Sequence, residues 1–127
     1  MRPDGDPADT GSVAGDLQAW VEQYRDAMSS DIGLGMMLDV LSAKGGSVAE
    51  GKLPVPCQCA AFTAAQIETI VARGIERGEA VPEVDAVMDT VVSPIVYRAL
   101  FGTVPMTPAQ ALVAACLKTA RKAKAIA

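Results

Sequence analysis

Catalytic chemistry is constrained first by what the sequence omits: its 127 residues contain no histidine. A histidine-based triad and a histidine metal site are therefore excluded. Fifteen carboxylates remain, and most stand at caps, turns or solvated helix faces. Asp89 alone has mostly apolar neighbours, and it reads as an acid on the narrow polar stripe of its helix. Three cysteines, two of them in Cys57-Gln-Cys59, fall short of the four ligands of a structural metal site. Being odd in number, they do not form a disulfide framework either, so a reduced compartment is the plainer reading. Cys116, among alanines and leucines, reads as core packing. No catalytic residue, metal ligand or cofactor site is assigned, and the chain does not read as an enzyme.

Binding is the chemistry that remains. Trp20, Tyr24, Met36, Met37, Met88 and Tyr97 are side chains of the kind that line adaptable apolar pockets, and they serve equally well as core filling. A formal charge of −4 argues against these residues holding nucleic acid by themselves, because phosphate contacts need a basic face. Lys118, Arg121, Lys122 and Lys124 gather near the C-terminus with no aromatic residue between them, which reads as a solvated helix end. No apolar run approaches the roughly 18 residues of a membrane span. No apolar segment of a signal peptide follows Met1. A cytoplasmic protein without a membrane partner is expected.

The elements that must position these residues are helices. Half the residues are apolar but only 4% aromatic, a composition of alanine, valine, leucine and methionine that favours close-packed helices over a sheet. Residues 1–11 are rich in Pro, Asp and Gly and are predicted to be a flexible linker or arm. Ser12 or Thr10 caps a first helix striped by Val13, Leu17, Trp20, Val21, Tyr24 and Met28. Ser29-Ser-Asp31 breaks it and caps a second helix, Ile32 to about Ala43, in which Gly33 and Gly35 mark a close backbone approach or a frayed start. Lys44 to Ala61, through Gly45-Gly46 and Leu53-Pro-Val-Pro56, is predicted to be irregular apart from one short turn at Ser47–Glu50.

Thr63-Ala-Ala-Gln66 has the form of a capping box, with Phe62 and Ile67 as a hydrophobic staple. The helix it opens carries Ile67, Ile70, Val71 and Ile75 on one stripe and closes at Gly78. A long helix from Pro82 to about Phe101 is apolar over well over half its circumference, so it is expected to be buried on more than one side, with a kink at Pro94. Gly102-Thr-Val-Pro105 is a break. Thr107-Pro-Ala-Gln110 then has the form of a second capping box for a last helix carrying Leu112, Val113, Cys116 and Leu117.

Three stretches carry a resemblance: Ile75-Glu-Arg-Gly-Glu79, Pro82-Glu-Val-Asp85 and Ser93-Pro-Ile-Val-Tyr97-Arg-Ala-Leu-Phe101-Gly102. In this order and spacing they resemble the C-terminal half of TetR-type transcriptional regulators. There an Arg-Gly-Glu helix end leads to a Pro-x-x-Asp turn and a helix with a central proline. A Tyr-Arg-x-Leu-Phe-Gly ending and a last helix entered at Thr-Pro or Ser-Pro follow. The resemblance runs over residues 64–118 and more loosely over 10–45.

That resemblance implies an all-α bundle of five to six helices over residues 12–120, a basic tail at 121–127, and dimerisation through a four-helix interface made by the last two helices. It implies a cavity for a small apolar or amphipathic effector, lined by Trp20, Tyr24, Met36, Met37, Val40, Ile67, Ile70, Val71, Met88 and Tyr97, with Arg73 and Asp89 as polar anchors. Val92, Ile95, Ala99, Leu112, Val113 and Cys116 are expected at the dimer interface. The implied function is effector binding and homodimerisation in a TetR-like regulator, with DNA reached only through a helix-turn-helix domain not present in this chain. The missing head is the main departure from the family pattern. The alternative is a headless, stand-alone dimeric protein that binds a small molecule or pairs with a regulator.

Overall fold

The first helix, α1 (Val13–Ser29), forms where a cap and an apolar stripe coincide. Ser12 is extended, and its hydroxyl accepts the N–H of Gly15 at 3.0 Å, satisfying a donor that the first turn leaves free. Val13, Leu17, Trp20 and Val21 are buried, and Tyr24 and Met28 pack against the core from its edge. The predicted stripe is therefore the face that α1 lays on the rest of the molecule. In this computed structural model residues 5–51, 58–102 and 106–122 are described. Cys57, the Leu53–Pro56 stretch, residues 103–105 of the predicted break, and Lys124 lie outside them.

α2 (Asp31–Ala49) is longer than expected and runs straight through Gly45-Gly46. Each glycine costs a helix about 1 kcal/mol relative to alanine, too little to stop a helix that already has length. Ser30 caps it, its hydroxyl accepting the N–H of Gly33 at 3.1 Å. Gly33 marks the close approach: a Cβ there would collide with the carbonyl oxygen of Ala27 on α1. Gly35 meets nothing.

α3 (Gln58–Glu76) begins five residues before Thr63, so the capping box and staple expected there are not made. The Thr63 hydroxyl instead donates back to the Cys59 carbonyl at 2.9 Å, Gln66 is buried, and Phe62 is exposed. Ile67 and Ile70 are buried as the stripe predicts, but Ile75 lies outside at 46% exposure. Gly78 does close the helix. It takes φ +76°, its N–H bonds to the Ile75 carbonyl at 3.0 Å, and the next N–H, of Glu79, bonds to Gly74 at 2.9 Å. That pair of bonds is a Schellman ending.

The expected long helix is built in three parts: α4 (Val84–Val87), a π-helical turn at Met88–Val92, and α5 (Ser93–Phe101). Pro94 has no N–H to give to the carbonyl four residues earlier. The chain meets this by widening the turn ahead of it: the Ser93 N–H reaches the Met88 carbonyl, five residues back. α6 (Ala109–Leu117) follows without the second capping box. Pro108 occupies the N-cap and no side chain caps it. Arg121–Lys122, expected in a basic tail, instead form a two-residue strand, β2. It pairs antiparallel with β1 (Ala80–Val81), Ala80 opposite Lys122.

Five helices longer than eight residues thus make an all-α bundle around α1, which touches α2, α3, α5 and α6. The two glycines in the first turns of α2, one close-packed and one open, predict opposite effects. Gly33→Ala should cost about 1–3 kcal/mol by overpacking against α1, while Gly35→Ala should stabilise by up to about 1 kcal/mol. Urea unfolding of both variants checks the pair, and equal effects would refute the helix crossing described here.

Candidate ligand cavity

A cavity of about 440 Å³ lies where the end of α1, the first half of α2, the start of α3 and one face of the π turn and α5 converge. α1 contributes Tyr24 and Met28. α2 contributes Gly33, Met36, Met37, Asp39, Val40 and Leu41, α3 Cys59, Ala60 and Thr63, and the last segment Met88, Val92, Val96 and Leu100. The volume is in the range of small-molecule sites. Among the described residues the lining is apolar except for Tyr24, Thr63 and Asp39. Met36, Leu41 and Ala60 are exposed and form the mouth.

α2 is suited to this position because it has no polar face. Ile32, Met36, Leu38 and Leu41 are all largely exposed, while Met37 and Val40 are half-buried and turned to the cavity. On the opposite wall Met88, Val92, Val96 and Leu100 recur every four residues.

Of the residues expected to bind a ligand, Tyr24, Met36, Met37, Val40 and Met88 line the cavity. Trp20, Ile67 and Ile70 are buried behind it, Val71 packs on the core, and Tyr97 stands outside at 66% exposure, against Phe101. Arg73 is not among the residues that line this cavity. Its guanidinium donates to the carbonyls of Pro7 (2.8 Å) and Ala8 (3.3 Å). Asp89 is exposed and away from the lining. Met28, Leu41, Val96 and Leu100 were not foreseen. Their signal was their spacing, Met28 four after Tyr24 and the others in step with Met36–Val40 and Met88.

Trp20 supports the cavity wall from behind. Its ring stacks on Tyr24 with centroids 4.8 Å apart, and its indole N–H donates to Gln66 Oε1 at 2.9 Å. The Gln66 amide nitrogen in turn donates to the Gly5 carbonyl at 3.0 Å. The Tyr24 phenol is pushed above its usual pKa by burial, an effect that its hydrogen bond with Thr63 partly offsets. Burial likewise raises the Cys116 thiol, partly offset by Thr90. Cys116 is free, whereas Cys59 is disulfide-bonded, which corrects the reading of reduced cysteines.

Arg77 organises the other end of α3. It donates to Glu79 (2.9 Å), Asp16 (3.3 Å) and Asp9 (3.4 Å). Asp16 is completely buried and also accepts the backbone N–H and hydroxyl of Thr10, both at 2.7 Å. From Gly5 to Thr10 the segment expected to be a flexible arm is thus held against α1 and α3. Sequence reasoning passed over Asp16, although its place three after Val13 and four before Trp20 sets it on the apolar stripe.

Of the residues expected at a subunit interface, Val92, Ile95, Leu112, Val113 and Cys116 are buried within this one chain, and Ala99 is half-buried. The outward residues of the same helices are Tyr97 and Phe101 on α5 and Ala111, Ala114 and Ala115 on α6. Among the described residues no helix is long and apolar enough to cross a membrane.

A family model described as the C-terminal domain of tetracyclin repressor-like proteins matches residues 7–116. No curated protein and no solved structure matches the chain.

Two measurements check the wall. Gln66→Ala strands the buried indole N–H and should cost about 1–3 kcal/mol, with a shifted emission from the single tryptophan. The Tyr24 phenol, held protonated in the folded state, contributes stability that is present below its unfolded pKa near 10.0 and is lost as pH rises through the higher folded value. Denaturation at pH 8 to 11 should therefore show a shallower decline in Tyr24→Phe than in the parent chain. Parallel declines would refute the buried phenol.

Proposed function

The chain belongs to the tetracyclin repressor-like C-terminal domain family, and from that premise we propose that it is the effector-binding and dimerisation part of a cytoplasmic transcriptional regulator. The observation that carries this reading is the apolar cavity of about 440 Å³ with five expected lining residues in it. A hydrophobic space of this size, walled by helical segments and open at its mouth, gains free energy by taking in an apolar molecule. On its inner wall the Thr63 hydroxyl is already committed to the Cys59 carbonyl.

The dimer surface in this reading is the outward side of α5 and α6. Tyr97 and Phe101 form an exposed aromatic pair, and the outward alanines of α6 allow another helix to approach closely. An apolar helix with no polar face needs cover on both sides. α6 obtains one cover from α1, and a second copy supplies the other. An effector that prefers one subunit spacing shifts the population toward it. Operator DNA is contacted by a helix-turn-helix head outside these residues.

The cavity half is tested by thermal melting against a panel of amphipathic compounds. A true effector at a hundred times its Kd adds about 2.7 kcal/mol of stability. Val96→Trp, which fills the cavity, should abolish the rise in Tm while keeping the helical circular dichroism. A panel with no effect, or an undiminished rise in the variant, would sink this half. The dimer half is tested by sedimentation: the parent chain should run as a dimer at micromolar concentration and Tyr97→Glu or Phe101→Glu as a monomer. A monomeric parent chain would overturn it.

A further inference from the structure

The charge distribution around the cavity points to its ligand class, and we propose that this cavity takes a lipophilic cation, with Asp39 as the counter-ion at the rim. The inference rests on the cavity being the effector site and adds the chemistry of what it holds. Among the described residues Asp39 is the one charged side chain in the lining, and no described lysine or arginine shares the wall with it. It is exposed at the surface end of the α2 wall, between Met36 and Val40.

Asp39 differs from the carboxylates used for structure. Asp9, Asp16 and Glu79 are all engaged by Arg77, whereas Asp39 has no hydrogen bond or ion pair among the described residues. Its carboxylate is free for a ligand. An anionic amphiphile would bring a second negative charge to this rim, with no cationic side chain among the described lining residues to offset it. It would also arrive against a chain of formal charge −4. A neutral amphiphile would fill the apolar space but leave Asp39 unused.

A cation with an apolar body satisfies both features. Its body is covered by Met28, Met37, Val92, Val96 and Leu100, and its head stays at the mouth, hydrated on one side and facing Asp39 on the other. A head held there avoids the cost of burying an ion in the interior. The deeper Thr63 hydroxyl makes no demand on the ligand, because it is committed to the Cys59 carbonyl.

The experiment titrates three probes of equal chain length, decyltrimethylammonium, 1-decanol and decanoate, at submicellar concentration. Binding is read by Trp20 emission and calorimetry. Decyltrimethylammonium should bind tightest and decanoate weakest. Asp39→Asn should weaken the cation by roughly fivefold, the scale of one exposed charge pair, and leave decanol unchanged. Asp39→Lys should turn the order toward decanoate, and added salt should compress the differences in the parent chain. If decanol or decanoate binds as well as the cation, or if Asp39→Asn changes nothing, the cation proposal is overturned while the cavity reading stands. If none of the three binds, both fail.

Discussion

A fully buried carboxylate has to be matched, and the matching of Asp16 sets the frame of this molecule. An unpaired charge in the interior costs several kcal/mol, so Thr10 and Arg77 must stand where they stand. Arg77 comes immediately before Gly78, whose left-handed turn ends α3 and sends Glu79 back to the first turn of α1, where it accepts the Val13 N–H. One contact thereby fixes the start of α1, the end of α3 and the approach of the N-terminal segment. Gly74 completes the seam, since a Cβ there would run into Val13. Further along α3, Arg73 and Gln66 hold the carbonyls of Pro7, Ala8 and Gly5. Gln66, Arg73 and Arg77 are seven and four residues apart, which keeps them on one face of the helix.

That seam also explains where the cavity lies. α1 and α3 are locked at the Asp16 end, and the cavity lies at the other end, beside Tyr24 and Thr63. There the wall is completed by Trp20, wedged between the Tyr24 ring and the Gln66 amide. The locked end uses polar bonds with fixed directions. The open end uses methionines, valines and leucines, which adapt to what they enclose.

The parts of this arrangement legible in the sequence are those governed by local periodicity. The α1 stripe and the Gly78 ending follow from spacing and backbone conformation alone. The two capping boxes failed because a cap motif is only a permission to start. Gln58 to Phe62 contains no helix breaker, so α3 starts upstream, and Gln66 is worth more bridging Trp20 and Gly5 than reaching back to its own backbone. At the second box Pro108 takes the N-cap, and no side chain caps α6. Apolar helices posed a different difficulty: Val92, Ile95, Leu112, Val113 and Cys116 read as interface because α5 and α6 are apolar nearly all round. Which side faces the chain's own core is decided by packing against α1, and that contact leaves no mark on the period. For the same reason only half of the ten residues named for the cavity line it, since they were chosen by type but without the face.

The π turn shows how a local defect becomes part of the site. In a regular helix, residues four apart drift by about 40° per step, so four of them in succession wind off a single face. Met88, Val92, Val96 and Leu100 nevertheless all line the cavity. The turn at Met88–Val92 carries more residues per revolution than an α-helix, and this reduces the drift at the first of those steps. Pro94 is what makes the wider turn favourable, because a regular turn would leave the Thr90 carbonyl facing a residue with no N–H. The proline that reads as a kink in the sequence therefore acts as a register adjustment, aligning a wall that a regular helix with the same side chains would twist away from the cavity.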